Sequence, residues 1–183
     1  AGNASVAESV ALTSAVTKGY GDTSATAMQQ VADLAFKTVE LGQTNFPQLA
    51  ASMGRVVPLA NELGIAQEEL FAIFAAGTGV TGSTSEVSTQ YRGVLQSLLA
   101  PTADMQKLMG ALGYTSGEAM LEQLGFIDTV KTITSVAEAA GVPLQSFIGS
   151  IEGQTLALAL SGPLADQYTA KLEKLTNAAG ATD

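Results

Sequence analysis

The sequence contains no cysteine, no histidine and no tryptophan. Without cysteine there is no disulfide frame and no thiolate chemistry. Without histidine the commonest general base, catalytic-triad partner and zinc ligand is missing. Charge is scarce as well. Charged residues make up 14% of the chain, and Arg55, Arg92 and six lysines face 17 acidic residues, for a net charge of −9. A nucleic-acid binder needs a basic footprint that displaces counterions from phosphates, and an anionic membrane surface attracts the same charges. Neither partner is expected. Long apolar runs are missing too: Leu70–Val80 and Leu156–Leu160 fall short of the roughly 20 residues of a membrane-spanning helix. The first twenty residues lack the basic start and continuous apolar core of a secretory signal.

What remains is apolar and small. Hydrophobic residues make up 46% of 183 residues, much of it Ala, Leu and Val, which excludes an ordinary disordered region. The length suits one domain or two small ones. The chain starts and ends in small-residue, turn-rich sequence and reads as a piece cut from a longer protein.

Helix signals run throughout. Ser5 with Glu8 three residues on forms a capping box, and Gly19 is a stop. A second helix starts near Asp22, carries Val31, Leu34, Ala35, Thr38 and Val39 as an apolar stripe, and stops at Gly42. Asn45 caps a third, with Pro47 in its first turn. Leu49, Met53, Val56 and Val57 share one face, Pro58 breaks or kinks the helix, and the next piece ends at Gly64. Further helices are predicted over 66–77, 83–99, 102–112, 116–124, 126–140, 143–148, 154–160 and 163–179. Residues 129–136 are the best strand candidate but lie within a helical period. The fold class is all-α: a compact multi-helix domain of short helices.

An offset of about 77 residues lays Ala60, Gly64 and Ile65 on Ala137, Gly141 and Val142, and Tyr91 and Leu98 on Tyr168 and Leu175. The apolar positions stay in phase across three helices, so an internal duplication competes with chance. The domain reading is an N-terminal helix over residues 1–20 and a helical domain over 21–183, with two related halves at about 31–101 and 108–179.

Chemistry-bearing constellations are few. Glu68 and Glu69 are adjacent and point to different helix faces. Glu118 and Glu122 lie one turn apart, which is ordinary for a solvated face, and a hydrolytic pair would have to flank a cleft. The glycine-rich run 77–85 lacks the lysine of a P-loop and any preceding strand, so it reads as a flexible helix–helix connection. Asp22, Asp33, Asp104 and Asp128 match no EF-hand spacing. No catalytic, cofactor-binding or metal residue is expected. Arg92 sits on a helix nearly free of charge; it is read as a snorkelling side chain or a local ion pair with a carboxylate such as Glu86, with a partner contact as the alternative.

An ordered set of signals carries a resemblance. A helix ends in a turn with Thr38, Gly42 and Thr44. A helix with Leu49, Ala50, Ser52, Gly54, Val56, Pro58, Ala60 and Gly64 follows. Then come Thr78, Thr84 or Ser85, Thr89, Gln90 and Arg92, and a stop at Leu98 and Pro101. Over about residues 20–180 this resembles the core domain of phage tail tape measure proteins. The resemblance implies a structural, non-enzymatic role, and it singles out Gly42, Thr44, Gly54, Pro58, Gly64, Thr89, Arg92 and Pro101 as structural positions. Such proteins help assemble the tail, set its length and leave ahead of the DNA. It further implies tube subunits, tail chaperones and other copies of the chain as partners, and the virion tail lumen, after the host cytoplasm, as the location. A peptidoglycan-degrading or membrane-active module is the alternative. Sparse charge leaves apolar faces available for contact, with Phe71 and Leu158 as the candidate interface residues.

Overall fold

Short polar side chains open most of the helices. The side chains of Ser5, Ser24, Asn45, Ser83, Thr102, Ser116 and Ser150 each accept a hydrogen bond from a backbone N–H in the first turn of the helix that follows, satisfying donors that have no partner inside the helix. The computed structural model describes residues 5–182; residues 1–4 and 183, included in the domain limits above, lie outside the described residues. In chain order the elements are α1 (Val6–Tyr20), α2 (Ala25–Leu41), α3 (Phe46–Met53), α4 (Val57–Glu62), α5 (Gln67–Thr81), α6 (Thr84–Leu99), α7 (Ala103–Ala111), α8 (Gly117–Ala140), a 3₁₀ turn (Leu144–Ser146), α9 (Ile151–Leu160) and α10 (Leu164–Thr176). No strand occurs among the described residues, so the fold is all-α; residues 129–136 lie within α8.

α5 is the axis of the fold. Leu70 through Thr78 are all buried on it, because α2, α6 and α10 pack around it. α6 crosses α9, and α1 covers α3, α4 and α2. One apolar core runs through α1 to α10, from Leu12 and Val16 to Leu175 and Ala178. The crossings are close because small residues meet there. A Cβ added at Gly93 would lie 2.3 Å from Ser150 Oγ and 2.9 Å from the Gly153 nitrogen, and one at Gly77 would lie 2.8 Å from a Val87 methyl.

Several boundaries differ from the sequence reading. The second helix is capped by Ser24, not Asp22, whose carboxylate accepts the Ser24 N–H at 2.9 Å. The run 77–85 is not a flexible connection: α5 continues through Gly77 to Thr81, the turn is Gly82 alone, and Ser83 already caps α6. Glycine reads as a breaker from sequence, but tertiary packing selects it here for its missing side chain. Pro58 does not break a helix either. The interruption comes before it, at Gly54–Val56, and Pro58 sits in the first turn of α4, where its missing N–H costs nothing. Within the helix expected over 143–148 only Leu144–Ser146 form a 3₁₀ turn, and α9 begins at Ile151.

α8 is two helices, 117–124 and 126–140, joined at Gly125 with φ 74° and ψ 171°. That backbone is open to glycine and strained for any side chain. The Phe126 N–H that it frees donates to the Glu69 carboxylate of α5 at 3.3 Å. The Phe126 ring is wedged edge-on against Tyr91 (centroids 5.1 Å apart) and tilted against Tyr168 (6.4 Å).

Candidate functional site

The residues singled out by sequence divide into a cluster and a scatter. The cluster lies where the α2–α3 turn meets the end of α5 and the start of α6. Gly42 ends α2 flat against α5, where a Cβ would come within 2.7 Å of Thr78 Oγ1 and 3.0 Å of the Ala75 Cα. The next residue, Gln43, donates its N–H to that same Thr78 hydroxyl at 3.0 Å. The hydroxyl itself donates to the Phe74 carbonyl at 2.6 Å. Thr44 and Thr84 share a hydroxyl–hydroxyl hydrogen bond of 2.6 Å, and Thr84 also reaches Gln48 Oε1 at 3.3 Å. One turn further, Ser88 of α6 donates to the Ser52 carbonyl of α3 at 2.9 Å. Side chains from positions 44, 48, 78, 84 and 88 thus fasten α3 and its entry turn onto the α5–α6 hairpin. The cluster is a polar joint between neutral groups. It holds no nucleophile with a base beside it and no charge, so its chemistry is positional.

The other motif positions lie elsewhere. Gly54 is exposed at the end of α3, with nothing near the place of its missing side chain. Gly64 follows α4 with φ 69°. Thr89 is exposed and turns its hydroxyl back to the Ser85 carbonyl at 3.1 Å. Pro101 is half-buried after α6, and its carbonyl accepts from Gln106. Arg92 is exposed on α6 and makes no ion pair among the described residues; Glu86, its expected partner, accepts from Gln90 instead. Phe71, expected as an interface residue, is wholly buried in the core. It lies on the helix with the most complete coat of neighbours, so it is a packing residue. Leu158 is 61% exposed on α9, in line with Ile151 at 76%.

Among the described residues the singled-out carboxylates do not come together as an acid/base pair. Glu118 and Glu122 are both exposed. Glu69 is half-buried and caps the second part of α8. It lies close enough to the Tyr168 hydroxyl to help raise its pKa, after the larger effect of burial. Even so, neither the Tyr168 nor the Tyr91 hydroxyl has a hydrogen bond of formed geometry among the described residues. Burial likewise pushes the Tyr91 and Tyr20 hydroxyls up. Among the described residues no group of three or more His, Cys, Asp or Glu side chains could hold a metal ion. No described helix is long and apolar enough to cross a membrane. A groove of about 390 Å³ between α7, α8 and the 3₁₀ turn is lined by Leu108, Leu112, Val136, Val142 and Phe147, with the Asp104–Lys107 ion pair (3.2 Å) among its walls. Its one carboxylate, Asp104, is paired with Lys107.

Two groups escaped the sequence reading. Asp33 is 3% exposed on the packed side of α2, where it accepts the N–H groups of Gly180 (2.9 Å) and Thr182 (3.0 Å). Lys171 of α10 donates to the Ala75 carbonyl of α5 at 2.8 Å, and burial, then the nearby Lys174, lower its pKa. The signal for Asp33 was its position: an acid inside the apolar stripe formed by Val31, Leu34 and Ala35.

Comparison with known proteins identifies the family of the sequence. Residues 1–181 match the family described as phage-related minor tail protein. The tape measure protein of Pneumococcus phage Dp-1 is 29% identical over 153 residues, covering 81% of this chain. The chain spans 13% of the length of that relative. No solved structure matches. With a family match over nearly its whole length and the ordered motif on a packed all-helical core, the chain belongs to the phage-related minor tail protein family.

Proposed function

We propose that this chain is a compact structural module of a tape measure protein, carried within a phage or prophage tail, that helps assemble the tail without itself acting as ruler. The family match over residues 1–181 carries the structural reading. The geometry supports the division of labour. As continuous helix, 183 residues would span about 275 Å at roughly 1.5 Å per residue. The longest unbroken helix here has 17 residues, or about 26 Å. A folded bead of this kind adds little length per residue. The ruler and the exit ahead of DNA belong to the rest of the chain; the partners are tube subunits, tail chaperones and further copies of the module, inside the tail lumen after assembly in the host cytoplasm. Nucleic acid and membrane are not among the partners. In-frame deletion of the segment from the parent gene, with tail lengths read by electron microscopy, tests this. Loss of assembly, or tails of nearly unchanged length, is expected. Tails shortened by about 275 Å would make the segment a ruler after all.

We also infer that the two halves are related by duplication. Gly64 and Gly141 both follow a helix with positive φ, 69° and 63°. Both close it with the same pair of bonds, Gly64 N–H to Asn61 and Ile65 N–H to Ala60, Gly141 N–H to Glu138 and Val142 N–H to Ala137, a common helix ending that Gly21 and Gly113 also make, so its weight here is the 77-residue spacing. Tyr91 and Tyr168 are both buried against Phe126. The crossing of α5 with α10 is matched by that of α9 with α6, the reciprocal pairing that two copies of one unit related by a pseudo-twofold would make.

A further inference from the structure

Beyond α10 the chain folds back over α2. Ala178 is buried in the core, while Ala179, Gly180 and Thr182 are exposed. All the tertiary hydrogen bonds of residues 178–182 among the described residues go to two side chains of α2. Asp33 accepts the Gly180 N–H, the Thr182 N–H and the Thr182 hydroxyl, and Gln29 donates to that hydroxyl. Gln29 also donates to Asp33 at 3.3 Å. A cavity of about 160 Å³ lies at this junction, lined by Asp33, Leu34, Glu68, Leu175, Thr176 and Ala178 among others.

We propose that residues 178–182 form a releasable strap, clasped by Asp33, that detaches from α2 as a unit while the ten helices stay folded. One carboxylate holds the strap's two N–H groups and its hydroxyl. Charge-assisted bonds of this kind are the strong ones, and losing the acceptor releases all of them together. The strap carries one buried side chain, Ala178, whereas α10 is anchored by Leu164, Ala165, Tyr168 and Leu175 and by Lys171 on α5. Regions with few buried apolar contacts open at lower free energy than the core. Detachment would open the cavity between α2 and α10 and leave the module intact, so that tension or acid acts first on this segment. The inference stands on this geometry and does not depend on the tail role.

Acid sets one direction of the switch. Burial alone would push the Asp33 carboxyl up, but the hydrogen bonds from Thr182, Gly180 and Gln29 outweigh it and hold the group below the usual carboxylate range. Because the folded-state pKa is the depressed one, the clasp is fully present above the unfolded value of about 3.9 and is lost as pH falls through the folded value. On α5, Glu68 lines the same cavity; α10 contributes Leu175 and Thr176, which do not titrate. The strap residues 178–182 carry no charged side chain. On α2, Lys37 is engaged with Glu40 at 2.8 Å.

Amide exchange by NMR on the whole chain at pH 7 tests the proposal. In Asp33→Asn the Gly180 and Thr182 amides should exchange about tenfold faster or more, while α2 and α10 amides keep their protection. Thr182→Ala removes only the hydroxyl donor and should accelerate the same amides by about two- to tenfold. In the unaltered chain, backbone ¹⁵N relaxation should show Gly180 and Thr182 rigid at pH 7 and mobile once the pH has fallen through the depressed Asp33 value, with helical circular dichroism retained. Unchanged exchange in both variants would overturn the proposal. So would loss of α10 protection in step with the strap, since the segment would then have no separate release. Should Asp33→Asn fail to fold, Thr182→Ala and the acid titration still decide.

Discussion

Tyr91 and Tyr168 present an imbalance at the scale of single residues. Both rings are fully buried, and neither hydroxyl has a formed hydrogen bond among the described residues. A buried hydroxyl without a partner carries its desolvation penalty with nothing to offset it. The ring, by contrast, contributes through burial and through its edge-on contact with Phe126. The two contributions can be separated. Tyr91→Phe keeps the ring and removes the orphan oxygen, so it should leave stability unchanged or raise it by about 1 kcal/mol. Tyr91→Ala removes the ring and should cost about 3–5 kcal/mol, as large-to-small aromatic changes in cores do. Urea unfolding of the two variants measures both. A Tyr91→Phe loss as large as that of the alanine variant would mean that the hydroxyl has a partner that the packing described here lacks.

At the scale of elements, the governing feature is how closely helices approach. α6 and α9 meet at Gly93 and Gly153, with Ser150 in the same crossing. The nearest obstacles to a Cβ at Gly93 include backbone atoms of Gly153, which cannot swing aside as the tip of a long side chain can. Gly93→Ala would gain about 1 kcal/mol of intrinsic helix propensity in isolation. Here it should instead destabilise by about 1–3 kcal/mol, because the helices must move apart. Gly110, on α7 with nothing within 4 Å of its missing side chain, provides the control: alanine there should be neutral or stabilising by up to about 1 kcal/mol. Thermal unfolding of the two variants with opposite signs would establish that the glycines of this fold serve two different purposes.

The whole molecule decides which apolar residues are available to partners. Phe71 and Leu158 both belong to apolar helical runs, and both are plausible contacts on composition alone. Phe71 is enclosed on α5, while Leu158 stands 61% exposed on α9. Phe71→Glu should therefore unfold the module, with a loss of about 4 kcal/mol or more, because a charge enters a core that offers no partner. Leu158→Glu should stay within about 0.5 kcal/mol of the parent. If α9 forms a contact between copies, the second variant alone should shift the sedimentation profile toward monomer at unchanged helicity. A monomeric parent chain at high concentration would remove α9 as a self-association surface.

Much of this protein could be read from its residues in order. The helical class and most of the helix starts follow from local rules, because a Ser, Thr or Asn side chain satisfies the first free N–H groups with no help from distant sequence. The stop at Gly141 and the break at Gly125 were legible as the ends of predicted helices, whereas α1 runs past the expected stop at Gly19 to Gly21 and α5 runs past Gly77 to Gly82. The family was legible from the order of small-residue signals. What local rules could not supply is the identity of the neighbours. Gly77 looks like a hinge until Val87 is seen against it, and Pro58 looks like a breaker until the interruption is found one turn earlier. Phe71 and Leu158 are indistinguishable until α2, α6 and α10 close around α5 and leave the outer face of α9 open. In the sequence Asp33 is only an acid inside an apolar stripe; it becomes a clasp because the chain returns about 150 residues later to place two N–H groups and a hydroxyl on its carboxylate. Hydrogen-bond capping acts over one turn and is written in adjacent residues, whereas burial depends on which surfaces meet, and only the tertiary fold decides that.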